Sequence, residues 1–111
     1  MRVDQRDIVL ISLNPTRGRE QKGTRPAVVI SGNAYHHSSL CIVCPLTTTI
    51  HSFVGNIILK PDTVNNLDKT SEVLVGHVRT ISFDRLSKKI GSITEAELEG
   101  IFKGIDLILD R

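Results

Sequence analysis

Leu40-Cys41-Ile42-Val43-Cys44-Pro45 is an unbroken apolar run closed by a proline. So short a run without polar alternation reads as a strand buried on both faces. Its neighbours in the chain also read as strands. Upstream lie Asp7-Ile8-Val9-Leu10-Ile11-Ser12-Leu13 and Pro26-Ala27-Val28-Val29-Ile30-Ser31. Asn14-Pro15 stops the first, because a residue before proline avoids the helical region. Pro26 sits at the first position of the second, where a missing N–H is tolerated. Downstream, Phe53 to Leu59 alternates loosely and reads as a fourth strand, and Ser71 through Val75 into Val78 as a fifth. Lys89 to Ile93 adds a short one, and Ile81 to Leu86 suits a short helical turn.

Only the last segment is different. Thr94-Glu95-Ala96-Glu97 has the form of a capping box, in which the threonine oxygen accepts from the third helical amide and Glu97 reaches back. Leu98, Ile101, Phe102, Ile105, Ile108 and Leu109 then recur at helical spacing. One amphipathic helix is predicted from about Thr94 to Leu109. Gly100 and Gly104 share a face of it, and each costs roughly 1 kcal/mol against alanine. Either they let a neighbouring strand or subunit come close, or they are simply tolerated, and the sequence leans slightly to tolerance. Strands first and a helix last imply a mainly β (α+β) domain over residues 1–111. Its expected form is a small barrel of bent antiparallel strands with a C-terminal α-helix.

A chain of 111 residues, 40% hydrophobic and 23% charged, can bury one core without disulfide or metal staples. Aromatics are 4% and there is no Trp, so that core rests on Ile, Leu and Val. The net charge of +2 is compatible with nucleic acid without arguing for it. No run resembles a signal peptide or a membrane span, and the expectation is a cytoplasmic protein without a membrane partner. Cys41 and Cys44 lie in a strand, where residues three apart face opposite ways. They read as buried apolar side chains and not as a redox or zinc pair. His36-His37, with no third ligand nearby, is a poor metal site, and His51 reads as a solvated loop residue, with contact to nucleic acid the weaker alternative.

The charge is concentrated in Asn14-Pro-Thr-Arg-Gly-Arg-Glu-Gln-Lys-Gly-Thr-Arg-Pro26. This connection is long for adjacent strands. It holds Arg17, Arg19, Lys22 and Arg25 against Glu20 alone. Arg25 is anchored between Thr24 and Pro26 at the mouth of a strand, a setting that suits a phosphate, because the guanidinium fork makes two parallel charge-assisted bonds. On composition alone, a solvated surface loop is an equally good reading.

The spacing separates the two. Pro15-Thr16, Gly18, Glu20-Gln21, Gly23 and Arg25-Pro26, followed by Val28-Val29-Ile30, resemble the signature of the MazF/PemK toxin family. Cys44-Pro45-Leu46-Thr47-Thr48 and Val78-Arg79-Thr80-Ile81 match further parts of it, in order, across nearly the whole chain. The resemblance implies an SH3-like, CcdB/PemK-type barrel that forms homodimers. It implies a toxin of a type II toxin–antitoxin pair, a metal-independent endoribonuclease that cuts single-stranded RNA at short sequences and needs no cofactor. It also implies a cognate antitoxin that covers the site with an extended acidic segment. Arg25 and Thr47 take the catalytic positions, with Thr48 the adjacent alternative. Glu20 shapes the loop, pairs with Arg25 or acts as a base. Arg17, Arg19, Gln21, Lys22 and Arg79 become contacts to RNA.

One departure matters. Where the family often bears glutamine, or in one branch an Arg/Asp pair, this chain has Leu74, Gly76 and His77. The Arg/Asp mechanism therefore does not carry over. His77 can serve as general acid or base, or hydrogen-bond as glutamine would. Two other functions fit the same barrel: a CcdB-like gyrase-binding toxin, and a non-catalytic barrel that binds RNA or protein. The terminal Asp106-Leu107-Ile108-Leu109-Asp110-Arg111 lacks the aromatic character expected of the first.

Overall fold

A computed structural model describes residues 1–12 and 23–110. Its strands are β1 (Asp7–Ser12), β2 (Thr24–Val29), β3 (Leu40–Thr47), β4 (Ile57–Leu59), β5 (Ser71–Val73), β6 (Arg79–Ser82) and β7 (Leu86–Ser92), and α1 (Glu95–Ile108) ends the chain. Every pairing is antiparallel. β3 is the axis: one edge pairs with β2, while the other pairs first with β6 and then with β5. β2 pairs in turn with β1, β1 with β7, and β5 with β4. A single turn over Phe83–Arg85 carries β6 into β7, so the order β6-β3-β2-β1-β7 curls toward closure. Register shifts in the β1–β7 ladder, of the kind that sharpen a bend, assist the curl.

Alternate residues of the central strands bury into two different layers. Val9, Ile11, Ala27, Val29, Cys41, Val43 and Ile81 fill the inside of the curl. Ile8, Val28, Cys44 and Leu46 face the other way and pack with Leu59, Val73, Ile93 and the helix residues Leu98 and Ile101. Burial on both faces is why the runs show no polar alternation. Cys41 and Cys44 fall in separate layers, as their spacing requires, and burial pushes their thiols up to about 11 and about 12. At neutral pH both are uncharged, apolar side chains.

The helix forms as its pattern predicts. Glu97 donates its amide to Thr94 Oγ1 at 3.1 Å, and Thr94 donates its own to Glu97 Oε1 at 2.8 Å, which is the complete capping box. Among the described residues no helix is long and apolar enough to cross a membrane.

Several boundaries move for local reasons. β4 is only Ile57–Leu59, because Val54 and Gly55 form a turn, with Gly55 at φ +90°. The run from Ser71 to Val78 breaks after Val73 into a single turn over Val75–His77, and Arg79–Ser82 is a strand in its own right. The last strand starts at Leu86 and not Lys89. Asn33–Ser38, between β2 and β3, is a short 3-10 helix.

Gly104 is required, not tolerated. A Cβ there would penetrate the carbonyl of Gly55, so the helix backbone lies directly on the Val54–Gly55 turn. Gly104→Ala is expected to destabilise the fold by about 2 kcal/mol through overpacking. Thermal denaturation checks this, and an unchanged midpoint would mean that the turn yields freely.

Candidate active site

The two prolines that flank the site decide where strands separate. In β2 the even-numbered residues direct their N–H toward β3, as Ile30 shows by donating to the Ile42 carbonyl at 2.9 Å. Pro26, the third residue of β2 and not its first, lies on that side and has no N–H to give. The β2–β3 ladder accordingly ends at the Ala27↔Pro45 pair. Beyond it Arg25 stays paired with Ile11 of β1, and Thr47 with Glu72 of β5. Pro45 turns its own missing N–H to the opposite edge, where β3 changes partner from β6 to β5. Leu74 still donates to the Pro45 carbonyl at 2.9 Å, and the reciprocal bond that a proline cannot make is replaced at the Leu74 carbonyl by the amide of His77, at 3.1 Å.

The splay is a cleft of about 280 Å³ between Thr24–Pro26 and Leu46–Thr49, with Ser71 at one end. A second cleft, of about 380 Å³, joins it through Arg25 and Thr47 and reaches His51, Phe53, Asn56, His77 and Ile108. Arg25 and Thr47 are half-buried, while Thr48 and His77 are exposed. Thr47 Oγ1 accepts the amide of Thr49 at 3.1 Å, which fixes the side chain at the mouth of the splay. Arg25 and Thr47 line both clefts. Thr48 lines the splay, and His77 the second cleft. Arg79 is exposed on β6 and lines neither cleft. Arg17, Arg19, Glu20, Gln21 and Lys22 lie outside the described residues.

One group goes unanticipated in the sequence. Glu72, fully buried on β5, accepts the amides of His51 at 2.6 Å, Ser52 at 2.9 Å and Phe53 at 3.1 Å, and the Asn56 side-chain amide at 2.6 Å. Asn56 Oδ1 in turn accepts the Val75 amide at 3.0 Å. The carboxylate therefore ties the loop that carries His51 and Phe53 to the strand that faces Thr47. Burial pushes its pKa up, but the four donors outweigh burial and hold it down at about 2, against an ordinary 4.5. The signal was there to read: a lone anion inside Ser71-Glu-Val-Leu-Val75, an otherwise buried run.

Above this base the ring of His51 stacks on Phe53, with centroids 4.7 Å apart and planes 8° from parallel. Phe53 is 61% exposed, so an aromatic face is open toward the cleft that holds Arg25. Among the described residues no three His, Cys, Asp or Glu side chains gather as a metal site. A guanidinium, hydroxyls and an imidazole around an open, two-ended cleft suit an extended anionic polymer.

Residues 4–109 match the family described as the PemK-like, MazF-like toxin of type II toxin–antitoxin systems. The chain belongs to that family. An endoribonuclease MazF of Staphylococcus saprophyticus is 31% identical over 93% of this chain and 88% of its own length. The crystal structure of MazF from Deinococcus radiodurans superposes with a TM-score of 0.79 at 25% identity, over 98% of this chain and 97% of that one. A mycobacterial endoribonuclease solved in complex with its cognate antitoxin has the same fold, with a TM-score of 0.79 at 21% identity, over 97% of this chain and 95% of that chain. These names do not favour the CcdB-like alternative.

Proposed function

We propose that this family member is a metal-independent, sequence-specific endoribonuclease toxin, and that it cuts single-stranded RNA where β2 and β3 separate. The observation that carries the reading is the meeting of Arg25 and Thr47, from two strands, at both clefts of the splay. In the reaction the 2′-oxygen loses its proton and bonds to the adjacent phosphorus. The P–O5′ bond breaks, the 5′-oxygen takes up a proton, and a 2′,3′-cyclic phosphate remains. The pentacoordinate intermediate carries extra negative charge, which a preorganised cation stabilises most where water is excluded. Arg25 supplies the cation and Thr47 a hydroxyl to a phosphoryl oxygen, with Thr48 at the next position. The Phe53–His51 stack offers a face to an unpaired base. Arg17, Arg19, Gln21, Lys22 and Arg79 contact RNA, and Glu20 shapes their loop.

His77 acts as a hydrogen-bonding group in the second cleft. His77→Gln is therefore expected to keep cleavage within about threefold of the native rate, with an unaltered pH profile. A loss of about a hundredfold together with one missing limb of that profile would make His77 the proton-transfer group.

The protein acts in the cytoplasm as a homodimer. Its antitoxin covers the same clefts with an acidic and apolar segment, for which Arg25 and the exposed Phe53, Val54 and Ile108 offer matching chemistry. Incubation with a long single-stranded RNA in EDTA is the test. Fragments that end in cyclic phosphate support the reading. Failure to cut any RNA, or gyrase inhibition without RNA cleavage, sinks it.

A further inference from the structure

A third cleft, of about 560 Å³, opens from the splay on its far side, sharing Pro26, Thr48 and Ser71 with it. Its floor is Leu10, Pro26 and Ile90, and its outer wall is the segment from Asn66 to Lys69. Lys69, Lys88 and Lys89 surround it, with Asp68 as the anion among them. Lys89 is already engaged, with its Nζ 2.9 Å from Asp7 Oδ1. Lys69 and Lys88 are exposed, and among the described residues neither has an acidic partner within ion-pair distance. Asn66 is held by its side-chain amide, which donates to the Ile90 carbonyl at 3.2 Å.

We infer that this cleft is a nucleotide subsite: it holds one residue of the single-stranded RNA flanking the scissile bond, with Lys69 and Lys88 on its phosphates. Three features lead to that occupant. The cleft adjoins the splay through Pro26, Thr48 and Ser71, so a strand whose phosphate sits between Arg25 and Thr47 reaches it by passing through the splay. Leu10, Pro26 and Ile90 offer apolar surface to a base, while Lys69 and Lys88 stand beside it, as a base and its phosphate require. Asp68 repels phosphate from its own corner, and there it accepts from the exocyclic amino group of a base. The segment from Asn66 to Lys69 thereby becomes a wall of the substrate path.

The subsite rests on the proposed nuclease reading, and the experiment separates the two. Lys69→Ala/Lys88→Ala is compared with the native protein on a dinucleotide containing one scissile bond and on a seven-nucleotide RNA. Binding of the same heptamer, made uncleavable by 2′-O-methylation, is followed by anisotropy across a salt series. The expected result is unchanged cleavage of the dinucleotide and a loss of about tenfold or more on the heptamer. Log affinity should fall less steeply with log salt, by roughly 0.7 for each phosphate contact removed. Equal heptamer binding and an equal salt slope in both proteins would overturn the subsite, whether or not any RNA is cut. So would a variant that loses affinity only for an acidic antitoxin peptide. If the native protein cuts nothing yet the salt slope shifts, the nuclease reading fails and the cleft stands as a site that binds single-stranded RNA.

Discussion

Arg25→Ala is expected to slow RNA cleavage by about 10³-fold, close to 4 kcal/mol of transition-state stabilisation. Arg25 stands at the second position of β2, backbone-paired to Ile11, and lines the splay. The pairing sets its backbone before substrate arrives, and a charge held in place beforehand stabilises a transition state with little reorganisation. Arg25→Lys keeps the charge but loses the planar fork, and is expected to recover no more than a tenth of the native rate. Single-turnover cleavage in EDTA measures both. The ladder to β1 is made by backbone atoms, so the alanine variant should remain folded, with a near-native melting curve as the control. A folded Arg25→Ala protein that cuts RNA at the native rate would remove this residue from the chemistry. Thr47→Ala, which takes away one neutral hydroxyl, should cost less.

The fold was legible wherever backbone pattern and burial agree. The apolar runs at 7–12, 26–29 and 40–45 became central strands because both of their faces are covered. Thr94 and Glu97 marked the start of the helix because a capping box is a purely local device. The short strands were less legible. Phe53 and Val54 look like strand residues, yet they are exposed in a turn that Gly55 permits and that the helix backbone at Gly104 presses upon. That contact joins residues nearly fifty apart in sequence, and no window of local pattern contains it. In the site, Arg25 and Thr47 came from spacing and resemblance. The reason they meet, a ladder ended by Pro26, needed the direction of each N–H. Glu72 was visible as an anomaly in a buried run, but its partners were not. They are main-chain amides, which every residue possesses and no sequence advertises.

Glu72→Gln should damage the site without touching it. The carboxylate offers two oxygens to four donors, three of them consecutive backbone amides. Glutamine offers one oxygen and turns an NH₂ toward the remaining donors, so buried N–H groups lose their partner and repel a new one. The loop then leaves its place, taking His51 and Phe53 from the second cleft and loosening the pairing partner of Thr47. A misplacement of this kind, away from the chemistry, is expected to lower cleavage by about tenfold to a hundredfold. The melting temperature should fall as well, and the amide resonances of residues 51–53 should shift. Cleavage and melting both within experimental scatter of native would show that the loop holds itself. The acid limb of stability gives an independent signature. Because the folded group titrates at about 2 and its ordinary value is 4.5, the unfolded chain takes up the proton first as pH falls. The contribution of Glu72 is therefore complete above 4.5 and is lost progressively from there toward 2. Native protein should show that loss in its melting temperature, and Glu72→Gln, which has nothing to protonate at this position, should show a shallower decline over the same window.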